Sequence, residues 1–317
     1  MNLALTAYIA AASLFGATMP SFPPEMEFLN QVPAEDADKV VDAVRQYALL
    51  QFAMLEWDQD IAGQLSVDPA NEADIKARAE TAKDRIERVD KAYKVLLERY
   101  PKNARALNYY GEFVYDYRGD EMNGVRYWKD AITNDPKLAL PYNNLGIYYA
   151  HSGQFAFGIE NYTKAIELEP DNPDFKFNLA QLYLAYTPSI AQELKWDEAK
   201  VYKEGMKLSK AAAELKPHDF KLQQDYATNF YVAERVKVKL DWADAAVAWQ
   251  RARASASTNE ELFYSWLNEA RAWINKPDKS KAEVCLQEAL KIIPDNKVAQ
   301  KLLADLRSGA IGTPKAE

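Results

Sequence analysis

A pattern of small, aromatic and proline residues recurs at an interval of 34 residues, and this repeat constrains the fold more than any other feature of the sequence. All five positions of the pattern return by identity or by exchange of one aromatic residue for another. The first set is Gly119, Gly124, Trp128, Ala131 and Pro136, and the second is Gly153, Gly158, Tyr162, Ala165 and Pro170. A repeat of this length needs a neighbour to bury its apolar face, so the chain is expected to stack similar units.

Small residues stand inside the helical apolar pattern of the unit from Tyr142 to Pro170. Gly146 and Gly158 occupy predicted helix interiors, where glycine costs roughly 0.5–1 kcal/mol relative to alanine. The close approach of a neighbouring helix would compensate for this cost, with Tyr162 filling the remaining space. Pro170 ends the second helix because it cannot donate a backbone hydrogen bond. Each unit is therefore predicted to be a pair of closely packed helices.

The same pattern continues on both sides of this unit, with insertions near residues 187–196 and 234–241. Small and aromatic residues at equivalent positions are predicted to pack where helices meet. These are Gly111, Gly124, Trp128, Ala131, Gly146, Gly158, Tyr162, Ala165, Ala180, Ala245, Trp249, Ala270, Ala282 and Ala289.

The best-matched unit resembles the tetratricopeptide repeat family, in which two helices form a unit of 34 residues with a proline after the second helix. The resemblance rests on Tyr142, Leu145, Gly146, Tyr149, Gly158, Tyr162, Ala165 and Pro170, and it extends over roughly Ala104 to Leu306. It implies an all-α fold, a right-handed superhelical solenoid of helix-turn-helix repeats with an N-terminal helical hairpin and a C-terminal capping helix. It says almost nothing about function.

The domain boundaries follow from changes in composition along the chain. Residues 1–18 carry an uncharged run, which favours a signal peptide or a short hydrophobic anchor. The expected order after it is a linker at 19–33, the N-terminal hairpin at 34–101, the repeat array at 102–294, the capping helix at 295–308 and a disordered tail at 309–317. An exported location, periplasmic, envelope-associated or secreted, follows if the first segment is a signal, and a cytoplasmic one otherwise. No other segment is expected to cross a membrane.

Charge and residue usage exclude several classes of function. The net charge of −8 argues against nucleic acid as a partner, because phosphate binding needs a cationic face. A single cysteine, Cys285, excludes a disulfide framework, and the two histidines, His151 and His218, have no metal-ligand spacing. No phosphate-binding glycine loop or nucleophile motif is present. The sequence therefore predicts no enzyme, no metal and no cofactor.

Binding is the remaining class of function. The first helices of stacked hairpins line a concave groove, and the residue two positions before each small residue forms one column along it. This column contains Tyr109, Asn144, Asn178, Asp225 and Asn268. A row of asparagines can pair with successive peptide groups of an extended ligand, although the same side chains can instead satisfy local hydrogen bonds.

The prediction is a non-catalytic scaffold or adaptor that binds an extended segment of a partner protein in this groove. Two alternatives stay open. Tyr115 and Tyr148 could line an aromatic groove for a glycan or a small ligand. The solenoid could also assemble with itself if an end is incompletely capped.

Overall fold

The computed structural model describes residues 36–311, which are almost entirely helical and contain no β-strand. The predicted all-α fold built from helix pairs is confirmed. The expected signal or anchor, the linker and residues 312–317 of the tail lie outside the described residues. The chain divides into two compact units, the first ending at Leu138 and the second beginning at Ala139.

The first unit consists of two helix pairs. Its helices are α1 (Ala37–Leu65), α2 (Glu72–Arg99), α3 (Ala104–Arg118) and α4 (Glu121–Asn134). α1 pairs with α2 and α3 pairs with α4. Val41, Tyr93 and Phe113 are among the residues that form a shared core of α1, α2 and α3. Phe52 extends this core by stacking on Tyr117, with 4.0 Å between the ring centroids.

The second unit repeats the same arrangement. Its helices are α5 (Leu140–His151), α6 (Phe155–Leu168), α7 (Pro173–Ala185), α8 (Thr187–Leu194), α9 (Glu198–Leu215), α10 (Phe220–Asn229), α11 (Val232–Arg235), α12 (Trp242–Ala254), α13 (Asn259–Asn275), α14 (Lys279–Ile292) and α15 (Lys297–Ser308). The pairs are α5 with α6, α7 with α9, α10 with α12 and α13 with α14, and α15 packs against α14. The short helices α8 and α11 lie between the members of two pairs.

Aspartate or asparagine precedes most of these helices and explains where they begin. The side-chain oxygen of each cap accepts a hydrogen bond from a backbone N–H in the first turn, which has no partner within the helix. The caps of this kind are Asn103, Asp120, Asn172, Asp197, Asp219, Asp241, Asp278 and Asn296. Thr258 precedes α13 and forms a capping box with Glu261. The Thr258 side chain accepts a hydrogen bond from the backbone N–H of Glu261, and the Glu261 side chain accepts one from the backbone N–H of Thr258.

The insertions have structure of their own. The connection near 187–196 contains α8, whose Ile190 is fully buried. Lys195 ends this helix in the left-handed conformation, with φ of 53°. The single turn α11 overlaps only the start of the second insertion, and residues 236–241 are not helical. At the C-terminus, Ile311 packs partly against the core of the unit, within the segment that the sequence predicts as a disordered tail.

Every residue that the sequence places at a helix contact is buried. The glycines show why bulk is excluded there. A Cβ atom added to Gly111 would lie 2.7 Å from Nε1 of Trp128, and one added to Gly146 would lie 2.7 Å from Cδ1 of Tyr162. Within each of these pairs the second helix brings an aromatic ring onto the backbone of the first.

Candidate binding face of the first helices

The first helices of successive pairs in the second unit, α5, α7, α10 and α13, carry the column of polar side chains predicted to contact a ligand. Two contacts link consecutive first helices along this column. Asn178 of α7 donates to Asn143 of α5, with 3.0 Å between Nδ2 and Oδ1. Gln181 of α7 donates to Asp225 of α10, with 2.6 Å between Nε2 and Oδ1. The polar groups are thus held in place by neighbouring repeats.

Asn143 and Asn178 form an amide pair that retains unused hydrogen-bonding groups. Within residues 36–311, Oδ1 of Asn178 accepts no hydrogen bond and Nδ2 of Asn143 donates none. Asn178 is half-buried and Asn143 is buried. A peptide group has one donor and one acceptor. Nδ2 of Asn143 can donate to its carbonyl oxygen, and Oδ1 of Asn178 can accept from its N–H. Asn144, the predicted member of the column on α5, is buried and has a contact within the protein.

Asp225 is the acceptor at the centre of a polar network. In addition to Gln181, Ser209 of α9 and Asn229 of α10 donate to its carboxylate, at 3.1 and 2.9 Å. Burial raises the pKa of Asp225, and the three hydrogen bonds oppose this rise because they favour the charged form. Both carboxylate oxygens therefore have partners inside the protein, which gives Asp225 a structural role within this face.

Asn268 of α13 uses both ends of its amide within the protein. Its Nδ2 donates to the carbonyl oxygen of Tyr264 at 2.8 Å, and its Oδ1 accepts from Arg271 at 2.9 Å. Tyr231 adds a hydrogen bond from its hydroxyl to the backbone oxygen of Asn268. Asn268 therefore makes the local hydrogen bonds that the sequence analysis gives as the alternative role of this column. A ligand would have to displace these bonds in order to contact its amide.

The aromatic candidates pack within their own units. In the first unit, the guanidinium of Arg45 lies over Tyr109, at 4.4 Å from the ring centroid. Tyr115 lies against Trp128, with 5.2 Å between ring centroids. In the second unit, Tyr148 contacts Tyr149 edge-on at 5.3 Å. All three tyrosines named in the prediction are half-buried.

The predicted column contains only part of this polar network. Asn143, Gln181, Ser209 and Asn229 lie outside it, although each contacts a member of the column. Asn143 and Asn178 are 35 residues apart, close to the repeat interval, and this spacing is the one sequence signal that pointed to their contact. The partners of Asp225 come from three helices at unrelated spacings.

Within residues 36–311, no group of three or more His, Cys, Asp or Glu side chains is placed to hold a metal ion. Burial, and after it the charge of Glu269, raises the pKa of the buried Cys285 to about 12, so its thiol stays protonated at neutral pH. None of the helices in that range is both long and apolar enough to span a bilayer.

Known proteins share the repeat. A stretch of 67 residues is 33% identical to human Tetratricopeptide repeat protein 6. This stretch covers 21% of this chain and 13% of the human protein. The C-terminal part of a TPR repeat-containing protein from Cytophaga hutchinsonii superposes with a TM-score of 0.54 at 17% identity, covering 85% of this chain and 98% of that one. YrrB, a TPR protein with an unusual peptide-binding site, superposes at 0.49 and 15% identity over 67% of this chain and 98% of its own. No protein-family model matches the sequence.

The chain has the tetratricopeptide repeat fold. Its 34-residue pattern, its helix pairs and its likeness to the human and Cytophaga proteins agree on this fold. The chain spans only a small part of the human relative, and at 17% identity the likeness to the solved structure concerns the fold. Neither relative therefore assigns a partner to this protein.

Proposed function

We propose that this protein is a non-catalytic scaffold that binds an extended segment of a partner protein along α5, α7 and α10. Stacked helix pairs create long surfaces suited to extended ligands, and a repeat fold commonly serves this purpose. The acidic net charge of −8 favours a protein partner over nucleic acid.

The amide pair of Asn143 and Asn178 carries the proposal. Each amide uses one group to fix the other, so the pair is oriented before a ligand arrives and loses little freedom on binding. Its remaining donor and acceptor match one peptide group and ignore the ligand's side chains. Affinity would then come from backbone pairing, and specificity from the surrounding surface.

The test measures binding of partner segments to single-site variants. Partners captured with the full chain are mapped to short peptides, and affinities are measured by fluorescence anisotropy. We expect Asn178→Ala to weaken binding about tenfold, the effect of losing one hydrogen bond worth about 1–1.5 kcal/mol. Thermal melting of each variant separates lost contacts from lost folding.

Asn161→Ala provides the matched control. Asn161 is a half-buried asparagine on the second helix α6, where it donates to the backbone oxygen of Phe157. We expect this variant to bind peptide as well as the unchanged protein does. Equal affinity of all three proteins would overturn the proposal, as would binding that the two variants weaken to the same extent.

A further inference from the structure

A cavity of about 460 Å³ lies in the second unit between α9, α10 and α12. Residues 238–240, which follow α11, close one of its sides. Its volume falls within the range of ligand-binding pockets, about 300–1,000 Å³. We call it the basic pocket, for the charges described next.

Four cationic side chains surround the basic pocket: Lys203, Lys210, Lys239 and Arg251. The single carboxylate among the lining residues is Asp244. This local excess of positive charge contrasts with the net charge of −8 of the whole chain.

Most of these cations lack a partner of opposite charge. Lys210 pairs with the exposed Glu214 of its own helix at 3.6 Å. Lys203, Lys239 and Arg251 form no ion pair with any residue in 36–311. All four side chains belong to exposed residues, so they can turn toward a ligand at the mouth of the pocket.

The walls of the basic pocket are apolar. Among the residues that line it, Phe230 is buried, while Met206 and Leu240 are half-buried. Val247 is 44% exposed, a high value for an aliphatic side chain on a packed helix. On α9, Lys203, Met206 and Lys210 share one helix face, since they are spaced three and four residues apart. Charge and apolar surface therefore occur together at this site.

We propose that the basic pocket binds an acidic segment of a partner protein that carries one bulky apolar side chain. The apolar side chain enters between Met206, Phe230 and Leu240, and flanking carboxylates pair with Lys203, Lys239 and Arg251. Charge complementarity is the reason for this choice of ligand, because three unpaired cations around one apolar site match an apolar residue between acidic ones.

The placement of the cations favours a peptide over a small anion. They lie on three separate elements, α9, α12 and the segment after α11. An acidic segment offers several carboxylates to cations that come from several elements, whereas a small anion offers one. The site also differs from the amide pair on α5 and α7, so either can fail in a test without the other.

The test uses dye-labelled synthetic peptides in which one Phe, Leu or Trp stands between Asp and Glu residues. Two matched sets replace the acidic residues by Gln or the apolar residue by Ala. Anisotropy titrations use the full chain, the triple variant Lys203→Gln/Lys239→Gln/Arg251→Gln, and the control Lys102→Gln/Lys129→Gln/Lys301→Gln. The control removes the same charge from exposed lysines that do not line the pocket.

We expect the acidic peptides to bind the full chain and the control equally, and the triple variant roughly tenfold more weakly, as for the loss of several exposed ion pairs. Binding should weaken with salt and with either peptide replacement. Asn178→Ala should bind these peptides normally. The proposal is overturned if no acidic peptide binds or if the triple variant and the control bind alike. Dodecanoate, a long apolar chain with a single carboxylate, is the small-anion probe. Its binding at the pocket while every peptide fails would also overturn the proposal.

Discussion

Gly146 and Tyr162 are in direct contact across the α5 and α6 pair, where the tyrosine ring covers the glycine backbone. A Cβ atom at Gly146 would lie 2.7–2.8 Å from three ring atoms of Tyr162, closer than real Cβ atoms approach a neighbour. Gly111 and Trp128 have the same relationship in the first unit. The recurring glycine and aromatic residue are thus two halves of one helix contact.

We predict that Gly146→Ala destabilises the protein by about 1–3 kcal/mol, because the added methyl group overpacks a closed contact. Gly63 on α1 is the control, since nothing lies within 4 Å of a Cβ atom built there. Gly63→Ala should stabilise the helix by about 0.5–1 kcal/mol through its backbone preference. Urea unfolding monitored by circular dichroism measures both changes. A stabilising effect of Gly146→Ala would show that the ring moves aside at no cost.

The sequence predicts such contacts because they recur with the chain's own period. Gly146 and Tyr162 follow from a pattern shared by several units, and both are buried as helix packing requires. The sequence predicts only an insertion where α8 lies, since eight residues are too few to form a helix in isolation. Its stability depends on tertiary burial of residues such as Ile190, which a local pattern does not encode.

The candidate site was less accessible to sequence reasoning. Asn178 was identified by its column, whereas the side chain it contacts depends on rotamers and on how closely α5 and α7 approach. Gly205 illustrates the same limit for packing. A Cβ atom there would lie 2.7 Å from Cγ of Leu184, yet Gly205 stands between charged residues and is not among the predicted packing positions.

Breaking the charge pair of Glu269 and Arg253 should be costly. Glu269 is buried and also accepts from Gln250 at 2.7 Å and from the Trp273 ring nitrogen at 3.2 Å. Glu269→Gln leaves the Arg253 cation unpaired, and the side chain of Arg253 is only 21% exposed. We expect a loss of roughly 2–4 kcal/mol in the free energy of unfolding, near the lower end for buried pairs because of this partial exposure.

The surface pair of Glu283 and Arg307 is the control for this prediction. Their side chains are 30% and 54% exposed. Glu283→Gln should cost at most about 1 kcal/mol, as exposed ion pairs do. Denaturant titrations of the two variants side by side provide the comparison, and equal losses would show that Glu269 gains nothing from its burial.

Tyr183 and Tyr202 should make the protein sensitive to alkali. Burial raises the pKa of each to about 12, from the ordinary value of 10.0. Because the folded pKa is the higher one, their contribution is complete below pH 10 and is lost as the pH rises toward 12. The doubly substituted Tyr183→Phe/Tyr202→Phe protein keeps both rings and cannot ionise there. Its stability, measured by urea unfolding at pH 8 and pH 11, should fall less than that of the unchanged protein, and an equal fall would contradict the prediction.

The thiol of Cys285 should react only when the second unit opens. It is buried on α14, and its pKa of about 12 leaves almost no thiolate, the reactive form, at pH 8. Unfolding restores both access and the ordinary pKa of 9.0. Alkylation by iodoacetamide at pH 8 should therefore be slow in buffer and accelerate across the urea unfolding transition. The exposed cysteine of a Cys285→Ala/Ser308→Cys variant provides the control, since it should react at the same rate with and without urea. Fast labelling of Cys285 in buffer would mean that α13 and α14 separate readily, and that this helix pair is less stable than its packing indicates.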